Sequence, residues 1–452
     1  MKHRTLAAAG IFLLLLSGLH TALHAQPVPP QREVAKSLTL REAVELSVKN
    51  SGQLKISQAK IDEATAALKE AVDRRLPDFK VGGSYLYLPI EPNINLKTGS
   101  GNGGGSGNGM PAVHQAAYGM ATVSLPLYAG GRISYGIESA RYLEQAAKLD
   151  SGNDRQELEL NTINAFTNLY KAKAAVSLVK ENLQQSQQRV TDFTNLEKNG
   201  LLARNDLLKA QLQESNIELS LLDAENNWKL ANVNMNLMLG LPEQTELLPD
   251  STSLAASPTG IKTIEEYEQL ALQHRNDLQA LGLRSKAAAA GIKVAKAEML
   301  PSLALTGGYI ALAVPHFVTV TNAVNLGVGV QYDLSSLWKT NSKVRQAKAR
   351  EVQLQASEGL LSDAIRLQIN QAYQNYLLSQ KKIDVYNKAI EQAAENYRIT
   401  KNKYDNSLVN TTDLLDADVA QLQAKLNYAF AKADAIGAYS KLLQTAGMLE
   451  NY

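Results

Sequence analysis

Two aspartates near the end of the chain, in the stretch NTTDLLDADVA (410–420), have a spacing that allows joint chemistry. Asp413 and Asp416 are three residues apart, which on a helix places both carboxylates on one face, about one turn from each other. Carboxylates grouped in this way attract cations. Acidic residues also favour the start of a helix, where free N–H groups and the helix dipole stabilise negative charge. Both interpretations stay open until the surrounding elements are considered.

The composition argues against an enzyme or a metalloprotein. The chain has 452 residues, 6 His and no Cys, which excludes thiolate ligands and Cys nucleophiles. It carries no nucleophile–base pair, no His/Asp/Glu cluster with metal-ligand spacing and no cofactor loop. A formal net charge of +2 gives no broad basic field for nucleic acid. The sequence therefore predicts a non-enzymatic protein with no cofactor, metal or nucleic-acid partner.

The N-terminus has the pattern of a secretory signal peptide. Lys2 and Arg4 precede the short apolar run AAAGIFLLLLSGL, and the segment TALHAQPVPP follows it. We predict a signal peptide at 1–25, an N-terminal extension at 26–38 and export of the mature chain.

The remaining sequence is a repeat of itself. LPDFKVGGSY matches LPSLALTGGY at an offset of 224, as Pro77 and Pro301 show. NGLLARNDLLKA matches NSLVNTTDLLDA at an offset of 207, which relates Asp206 to Asp413. The extra residues of the first half include the glycine-rich segment 99–109. A repeat of this kind is typical of a duplicated structural unit. We predict a first repeat at 39–240, a linker at 241–262, a second repeat at 263–447 and a tail at 448–452.

Each repeat is predicted to contain short helices, then two strands, then a long helical hairpin. The predicted strands lie at about 78–89 and 116–127 in the first repeat, and at about 302–313 and 323–334 in the second. Along the first strand Phe79, Val81 and Tyr85 alternate with Lys80 and Ser84. This alternation suits a strand of a membrane barrel, and a half-buried strand of a soluble sheet gives the same pattern.

The helical hairpins have a strict seven-residue repeat, which predicts coiled-coil packing. In the second repeat the first long helix is predicted at about 337–404 and the returning helix at about 411–446. The equivalent helices of the first repeat are predicted at about 133–198 and 204–239. The stripe of the first helix consists of Ile369, Tyr376, Ile383, Ile390, Tyr397 and Tyr404. A helix of about 65 residues is about 100 Å long.

Four strands are too few to form a closed barrel, for which about eight is the smallest number. An open sheet in lipid leaves unpaired edges, which the membrane does not tolerate. Strands that span a membrane here must therefore combine with those of other chains.

With this plan the sequence resembles the TolC-type outer-membrane efflux proteins, also called outer membrane factors. The resemblance rests on the duplicated plan, on SLPLYAGGR (124–132) between strand and helix, and on the paired turns GLLARNDLLKAQ and SLVNTTDLLDAD. It implies a mainly α-helical chain with a transmembrane β part, in which three copies form an α-barrel and a 12-stranded β-barrel. It also implies a passive channel in the bacterial outer membrane that extends into the periplasm. The implied partners are outer-membrane lipid, a periplasmic adaptor protein and an inner-membrane transporter.

The resemblance also assigns a site. A Tyr followed by two Asp in the family matches Tyr404, Asp413 and Asp416, which implies a ring of carboxylates at a periplasmic gate. In the first repeat the two acids align with Asp206 and Lys209, so only one of them is repeated. That difference favours a role beyond capping, although capping alone stays open.

The family often has an Arg between the Tyr and the first Asp, and Val409 occupies that place here. The closed state is therefore expected to be held differently, and Arg204 is a candidate for a bond to a neighbouring helix. A non-conducting periplasmic coiled coil is the alternative to a duct. The sequence does not identify the exported substrate, and drugs, metals and proteins all remain open.

Overall fold

The computed structural model of the chain describes residues 35–90, 113–250, 260–315 and 318–449. The predicted signal peptide and the glycine-rich segment 99–109 lie outside the described residues. Within them, no helix is long and apolar enough to cross a membrane.

The two repeats contain the same elements in the same order. The first repeat and the strand before it comprise β1 (Lys36–Leu38), α1 (Leu40–Asn50), α2 (Gly52–Asp73), β2 (Asp78–Tyr87), β3 (Gln115–Ala129), α3 (Arg132–Lys198) and α4 (Arg204–Leu239). The second repeat and the strand before it comprise β4 (Leu247–Pro249), α5 (Ile264–His274), α6 (Asn276–Ala297), β5 (Ser302–Val314), β6 (Val318–Gln331), α7 (Ser336–Asp405) and α8 (Thr411–Thr445). The four long-hairpin helices begin and end within one residue of the predicted positions.

The four longer strands form one antiparallel sheet in the order β2-β3-β5-β6. The register places Phe79, Val123, Gly307 and Leu326 in one row across the sheet. The next row, on the opposite face, contains Lys80, Thr122, Gly308 and Asn325. Because side chains alternate along every strand, the sheet has one apolar face and one face of small and polar residues.

The predicted fourth strand, at 323–334, was placed too late in the chain. β6 runs from Val318 to Gln331, and its register against β5 shifts by one residue between the Ile310 and Leu312 pairs. Asn322 lies at this irregularity with a φ of 62°. An irregularity of this kind interrupts the two-residue alternation, so the pattern alone did not reveal the part of the strand before it.

Two short strands were not predicted. β1 pairs in parallel with β4, with Lys36 opposite Leu247 and Leu38 opposite Pro249. β1 lies in the predicted N-terminal extension and β4 in the predicted linker. With three residues each, these strands are too short for an alternating pattern to identify them. Their pairing attaches both segments to the first repeat.

The helices form a layer that continues the order of the sheet. On the side of the strands, neighbouring helices follow the order α2-α3-α6-α7, and each of them is joined to one of the four strands. Farther from the sheet, where α2 and α6 are no longer present, the order of neighbouring helices becomes α4-α3-α8-α7. In this part α4 returns along α3, and α8 returns between α3 and α7. With 70 residues, α7 is about 105 Å long. The outer edges of this layer are α4 and α7.

Apolar packing forms three clusters along the layer. Phe166, Met235 and Leu239 belong to the cluster of the first repeat, which also contains α1 and the short strands. Tyr376 and Ile369, both from the predicted heptad stripe, belong to the cluster of the second repeat. The third cluster lies near the hairpin turns and is described below. The remaining members of the stripe, Ile383, Ile390, Tyr397 and Tyr404, are half-buried.

The SLPLYAGGR segment turns the chain from β3 into α3. Gly130 has a φ of 64°, and a Cβ there would lie 2.7 Å from the carbonyl oxygen of Ala297. A side chain at this position would therefore collide with the end of α6, which explains why the turn requires glycine.

Candidate functional site

The turns of the two helical hairpins lie side by side at the end of the layer farthest from the sheet. Each turn contains one residue in the left-handed region, Gly200 with a φ of 72° and Ser407 with a φ of 59°. In each turn the next residue is a leucine whose N–H donates to the helix that has just ended, Leu201 to Leu196 and Leu408 to Lys403. The duplicated sequence therefore folds into two equivalent turns.

Asp413 caps α8. Its backbone N–H donates to Oδ1 of Asn410 at 3.0 Å, and its own Oδ2 accepts from the backbone N–H of Asn410 at 3.2 Å. This reciprocal arrangement is a capping box, with Asn410 as the N-cap. The capping interpretation of Asp413 therefore holds in the structure. Its side chain is exposed, so the carboxylate also faces solvent.

Asp416 lies one turn further along α8 and is exposed. No hydrogen bond or ion pair of its carboxylate occurs among the described residues, and it takes no part in the capping box. Its position is thus free of the structural role that Asp413 has. Leu414 and Leu415, which lie between the two acids, are buried. Because they hold one face of α8 against the other helices, both carboxylates lie on the opposite, exposed face.

Tyr404 packs against the third apolar cluster, which joins the two hairpins and consists of Phe193, Leu207, Ala210 and Leu414. Its ring stacks on Phe193 of α3, with 5.6 Å between the centroids, and its hydroxyl lies 3.4 Å from Oγ1 of Thr411. Leu207 and Leu414 complete the contact from α4 and α8. All four hairpin helices therefore meet here. Tyr404 holds the end of α7 against the first hairpin.

Arg204 and Asp206 make their contacts within the first hairpin. Arg204 lies 3.5 Å from Glu197 of α3, which is a neighbouring helix but not one of the second hairpin. Asp206 pairs with Lys209 at 3.3 Å, and Lys209 also donates to Oγ1 of Thr412 at 3.3 Å. Lys209, rather than Arg204, thus connects the two turns.

A buried polar group that was not predicted lies on α8, two residues after Asp416. Asp418 of α8 is 0% exposed and accepts from Arg189 Nη1 at 2.9 Å and from Asn182 Nδ2 at 3.3 Å. Arg189 also donates to the hydroxyl of Tyr397 at 3.3 Å. Burial alone disfavours the Arg189 cation, but its bonds to Asp418 outweigh burial and raise the pKa of Arg189 above its ordinary value.

A signal for this group was present in the sequence. Asp418 follows Leu414 by four residues, so it lies on the stripe of α8 that an apolar residue would normally occupy. Arg189 lies between Ser186 and Phe193 on a buried face of α3 that is mostly polar. Charged residues on two buried stripes indicate a pair, although the partners cannot be matched without the packing.

The arrangement presents two exposed carboxylates at the start of α8. Among the described residues no group of three or more His, Cys, Asp or Glu could hold a metal ion.

Comparison with known proteins gives a consistent result. The chain matches the family described as "Outer membrane efflux protein" over residues 43–241 and 268–448. It is 22% identical over 427 residues to the outer membrane efflux protein BepC of Brucella suis, covering 92% of this chain and 87% of BepC. It is 23% identical over 343 residues to the alkaline protease secretion protein AprF of Pseudomonas aeruginosa, covering 73% of this chain and 70% of AprF.

The fold is also that of a solved channel. The structure superimposes on the outer-membrane channel OprN with a TM-score of 0.76 and 19% sequence identity, covering 90% of each chain. Because the family match extends over both repeats, the chain belongs to the outer membrane efflux protein family.

Proposed function

We propose that the protein is the passive exit duct of a tripartite efflux pump or a type I secretion system, assembled as a homotrimer and gated at its hairpin turns. As a member of its family it acts at the bacterial outer membrane and extends into the periplasm. The family consists of transport channels, so partners of the adaptor and inner-membrane transporter kind are implied. The inner-membrane partner would supply the energy.

The observation that carries the trimer is that one chain leaves both sides of its sheet open. β2 and β6 are the edge strands of the four-stranded sheet. β6 runs opposite to β2, so an edge β6 of one copy and an edge β2 of the next would extend the antiparallel order. Three copies would then supply twelve strands, enough to close a barrel and remove every open edge.

The apolar face of the sheet supports contact with lipid. Val81 is 88% exposed and Leu326 is 79% exposed, and both lie on this face. A soluble protein would bury such a face, whereas the outer surface of a membrane barrel presents it to hydrocarbon. The non-conducting coiled-coil alternative leaves this face without a partner. The opposite face, with Lys80, would line the lumen.

The two outer helices support the same closure in the periplasmic part. α4 exposes large apolar residues along its free side, Leu208, Leu212, Leu219, Leu222, Leu230 and Leu237. α7 exposes a second set, Leu360, Leu367, Leu377, Leu378, Val385 and Ile399. Contact between α4 of one copy and α7 of the next would bury both sets. Such a head-to-tail interface closes a ring when it repeats three times.

The gate follows from this ring. Three copies would place six carboxylates, from Asp413 and Asp416, around one axis at the turns. A ring of carboxylates attracts cations and binds divalent ions more strongly than monovalent ones. Tyr404, Arg204 and Asp206 would fix the turns that present the acids. The two roles of Asp413 are compatible, because capping uses one oxygen of its carboxylate.

The turns are also the proposed contact with the adaptor. Leu201 is 75% exposed and Leu408 is 73% exposed, each at the tip of its hairpin. Two equivalent apolar side chains at the end of a long helical layer offer a repeated contact to a partner that approaches along the axis. The exported substrate could be a drug, a metal or a protein.

Size measurement of the detergent-extracted protein tests the assembly. We expect a heat-sensitive trimer from the outer-membrane fraction, by light scattering and by gel mobility before and after boiling. A monomer that remains in the soluble periplasmic fraction would contradict the proposal. Leu201→Ser with Leu408→Ser should leave the trimer intact and weaken the capture of a purified adaptor. Undiminished capture would remove the tips from the adaptor contact.

A further inference from the structure

The buried pair of Arg189 and Asp418 lies at the boundary between the two repeats. Arg189 belongs to α3 and Asp418 to α8, and their charged atoms are 2.9 Å apart. Arg189 is 8% exposed and Asp418 0% exposed, so neither charge has water as an alternative partner. Asn182 and the hydroxyl of Tyr397 complete the group. The first hairpin is thereby bonded to both helices of the second hairpin.

This bond fixes the part of α8 that carries the gate acids. Asp418 follows Asp416 by two residues and Asp413 by five, all within the first turns of α8. A charge pair that loses its partner in a buried site is strongly unfavourable, since the remaining charge is left desolvated. Separation of α3 from α8 at this level is therefore costly. The seam inside the chain, between α3 and α8, is held closed.

The internal repeat shows what the other seam of the ring contains. The offset of 207 relates Arg189 to Asn396 on α7, and Asp418 to Gln211 on α4. In the proposed ring, α7 of one copy meets α4 of the next, and this contact is the repeat-related equivalent of α3 against α8. Asn396 is exposed and Gln211 half-buried in the single chain. The seam between copies thus has two neutral amides where the seam inside the chain has an ion pair.

Two neutral amides can be separated at little cost in free energy, because water replaces their mutual hydrogen bond. Separation of a buried ion pair costs more, because both charges lose their partner. We infer that Arg189 and Asp418 are positioning residues of the gate that keep α8 attached to α3, so that the turns open by separation of α7 from α4 between copies. The inference rests on the proposed function. It predicts that the contact between α3 and α8 within each chain stays closed, while the contact between α7 and α4 of neighbouring copies opens.

Transplanting the pair tests this division. Asn396→Arg with Gln211→Asp would place the same ion pair between copies. We expect the trimer to form, to resist heat better than the wild type and to show at least a tenfold lower frequency of high-conductance openings in a planar bilayer. Each single variant is the matched control, and because its charge has no partner in the seam it should open at least as often as the wild type. A more heat-resistant double variant that opens normally would overturn the inference.

Covalent bridging gives a second measurement, which does not depend on that variant folding. The chain has no cysteine, so introduced pairs react without competition. A short bifunctional thiol reagent should join Gln211→Cys to Asn396→Cys between copies and abolish the openings. The same reagent should join Arg189→Cys to Asp418→Cys within one chain, and the bridged protein should still open. If the bridge between Arg189→Cys and Asp418→Cys also abolished the openings, the inference would be refuted.

The unbridged variants separate positioning from mere stability. Asp418→Asn should raise the frequency of openings several-fold relative to the wild type. Arg189→Lys retains the charge, and it should open nearly as rarely as the wild type. Equal openings in Asp418→Asn and the wild type would argue against a positioning role. If the wild-type protein formed no trimer and no pore, the proposed function would fail. A conducting trimer that closes without the pair would remove only the further inference.

Discussion

The two hairpin turns have nearly the same backbone and opposite charge. Residues 199–210 contain the bases Arg204 and Lys209 and the acid Asp206, whereas residues 406–417 contain Asp413 and Asp416 and no base. α4, which follows the first turn, has Ala203 as its N-cap and no side-chain hydrogen bond there. α8, which follows the second turn, has a capping box. The two turns therefore share one backbone and differ in the charges that they present.

The two duplicated turns have kept their backbone geometry more closely than the chemistry of their side chains. The left-handed residue and the exposed leucine occur in both turns. Of the two bases of the first turn, Lys209 bonds to Thr412 of the second hairpin, whereas Arg204 pairs with Glu197 within its own hairpin. The acids of the second turn are left facing solvent. One turn stabilises the tip, and we propose that the other acts on the permeating ions.

The largest expected effect on stability comes from the buried pair that joins the repeats. Asp418→Asn leaves the Arg189 cation buried without its counter-charge, and we expect a loss of about 3–5 kcal/mol in the free energy of unfolding. Denaturant unfolding followed by circular dichroism measures this loss. The matched control is Asp434→Asn, because Lys171 and Asp434 also join α3 to α8, but at an exposed site.

That control should change the free energy of unfolding by no more than about 1 kcal/mol. Equal losses in the two variants would mean that burial does not distinguish the pairs. The contact between α3 and α8 would then not depend on the buried pair near the hairpin turns.

A smaller effect is expected from exchanging the caps of the two turns. Asn410→Ala removes the capping box of α8 and should cost about 1 kcal/mol. Ala203→Asn in the first turn should stabilise α4 by a similar amount, since Asp206 occupies the position equivalent to Asp413. Hydrogen exchange of the first-turn amides of α4 and α8 measures both changes. If Ala203→Asn failed to slow exchange in α4, the two turns would differ in more than their side chains.

The smallest effect is expected at the bond between the turns. Lys209→Gln removes the ion pair with Asp206 and weakens the contact with Thr412, both partly exposed. We expect a loss of about 0.2–1 kcal/mol, together with reduced dependence of stability on salt. Thermal unfolding at low and high salt measures it. A loss as large as that of Asp418→Asn would make Lys209 the main connection of the tip.

Much of the fold could be predicted because its patterns are long. The helices were predicted from a seven-residue stripe that includes Ile369 and Tyr376, and both residues are buried against α5 and α8. One stripe, however, describes packing in one direction only. α3 packs against α4 and also against α8, and the second contact includes the bonds of Asn182 and Arg189 to Asp418 and the packing of Phe193 with Leu414. Polar residues on that face carried no periodic apolar signal.

The bonds of the predicted site residues could not be derived from the sequence. Asp413 and Asp416 were recognisable from their spacing, and the capping of Asp413 was one of the two interpretations that spacing allowed. Arg204 was expected to reach a neighbouring helix, and it pairs with Glu197 across its own turn. Lys209 connects the turns instead, because it lies one turn inside α4, where α4 approaches Thr412. Such contacts depend on how two hairpins are placed side by side, which local sequence does not determine.

The most direct test of the account is the ion selectivity of the purified channel in a planar bilayer. The reversal potential under a salt gradient should show cation preference in the wild type, with block by divalent cations. In the Asp413→Ala, Asp416→Ala double variant both should be largely lost, and the conductance should rise. Asn410→Ala is the control, because it breaks the cap and retains both acids, so its selectivity should equal that of the wild type. Unchanged selectivity in a conducting double variant would contradict the carboxylate ring and leave the two acids as part of the helix start alone.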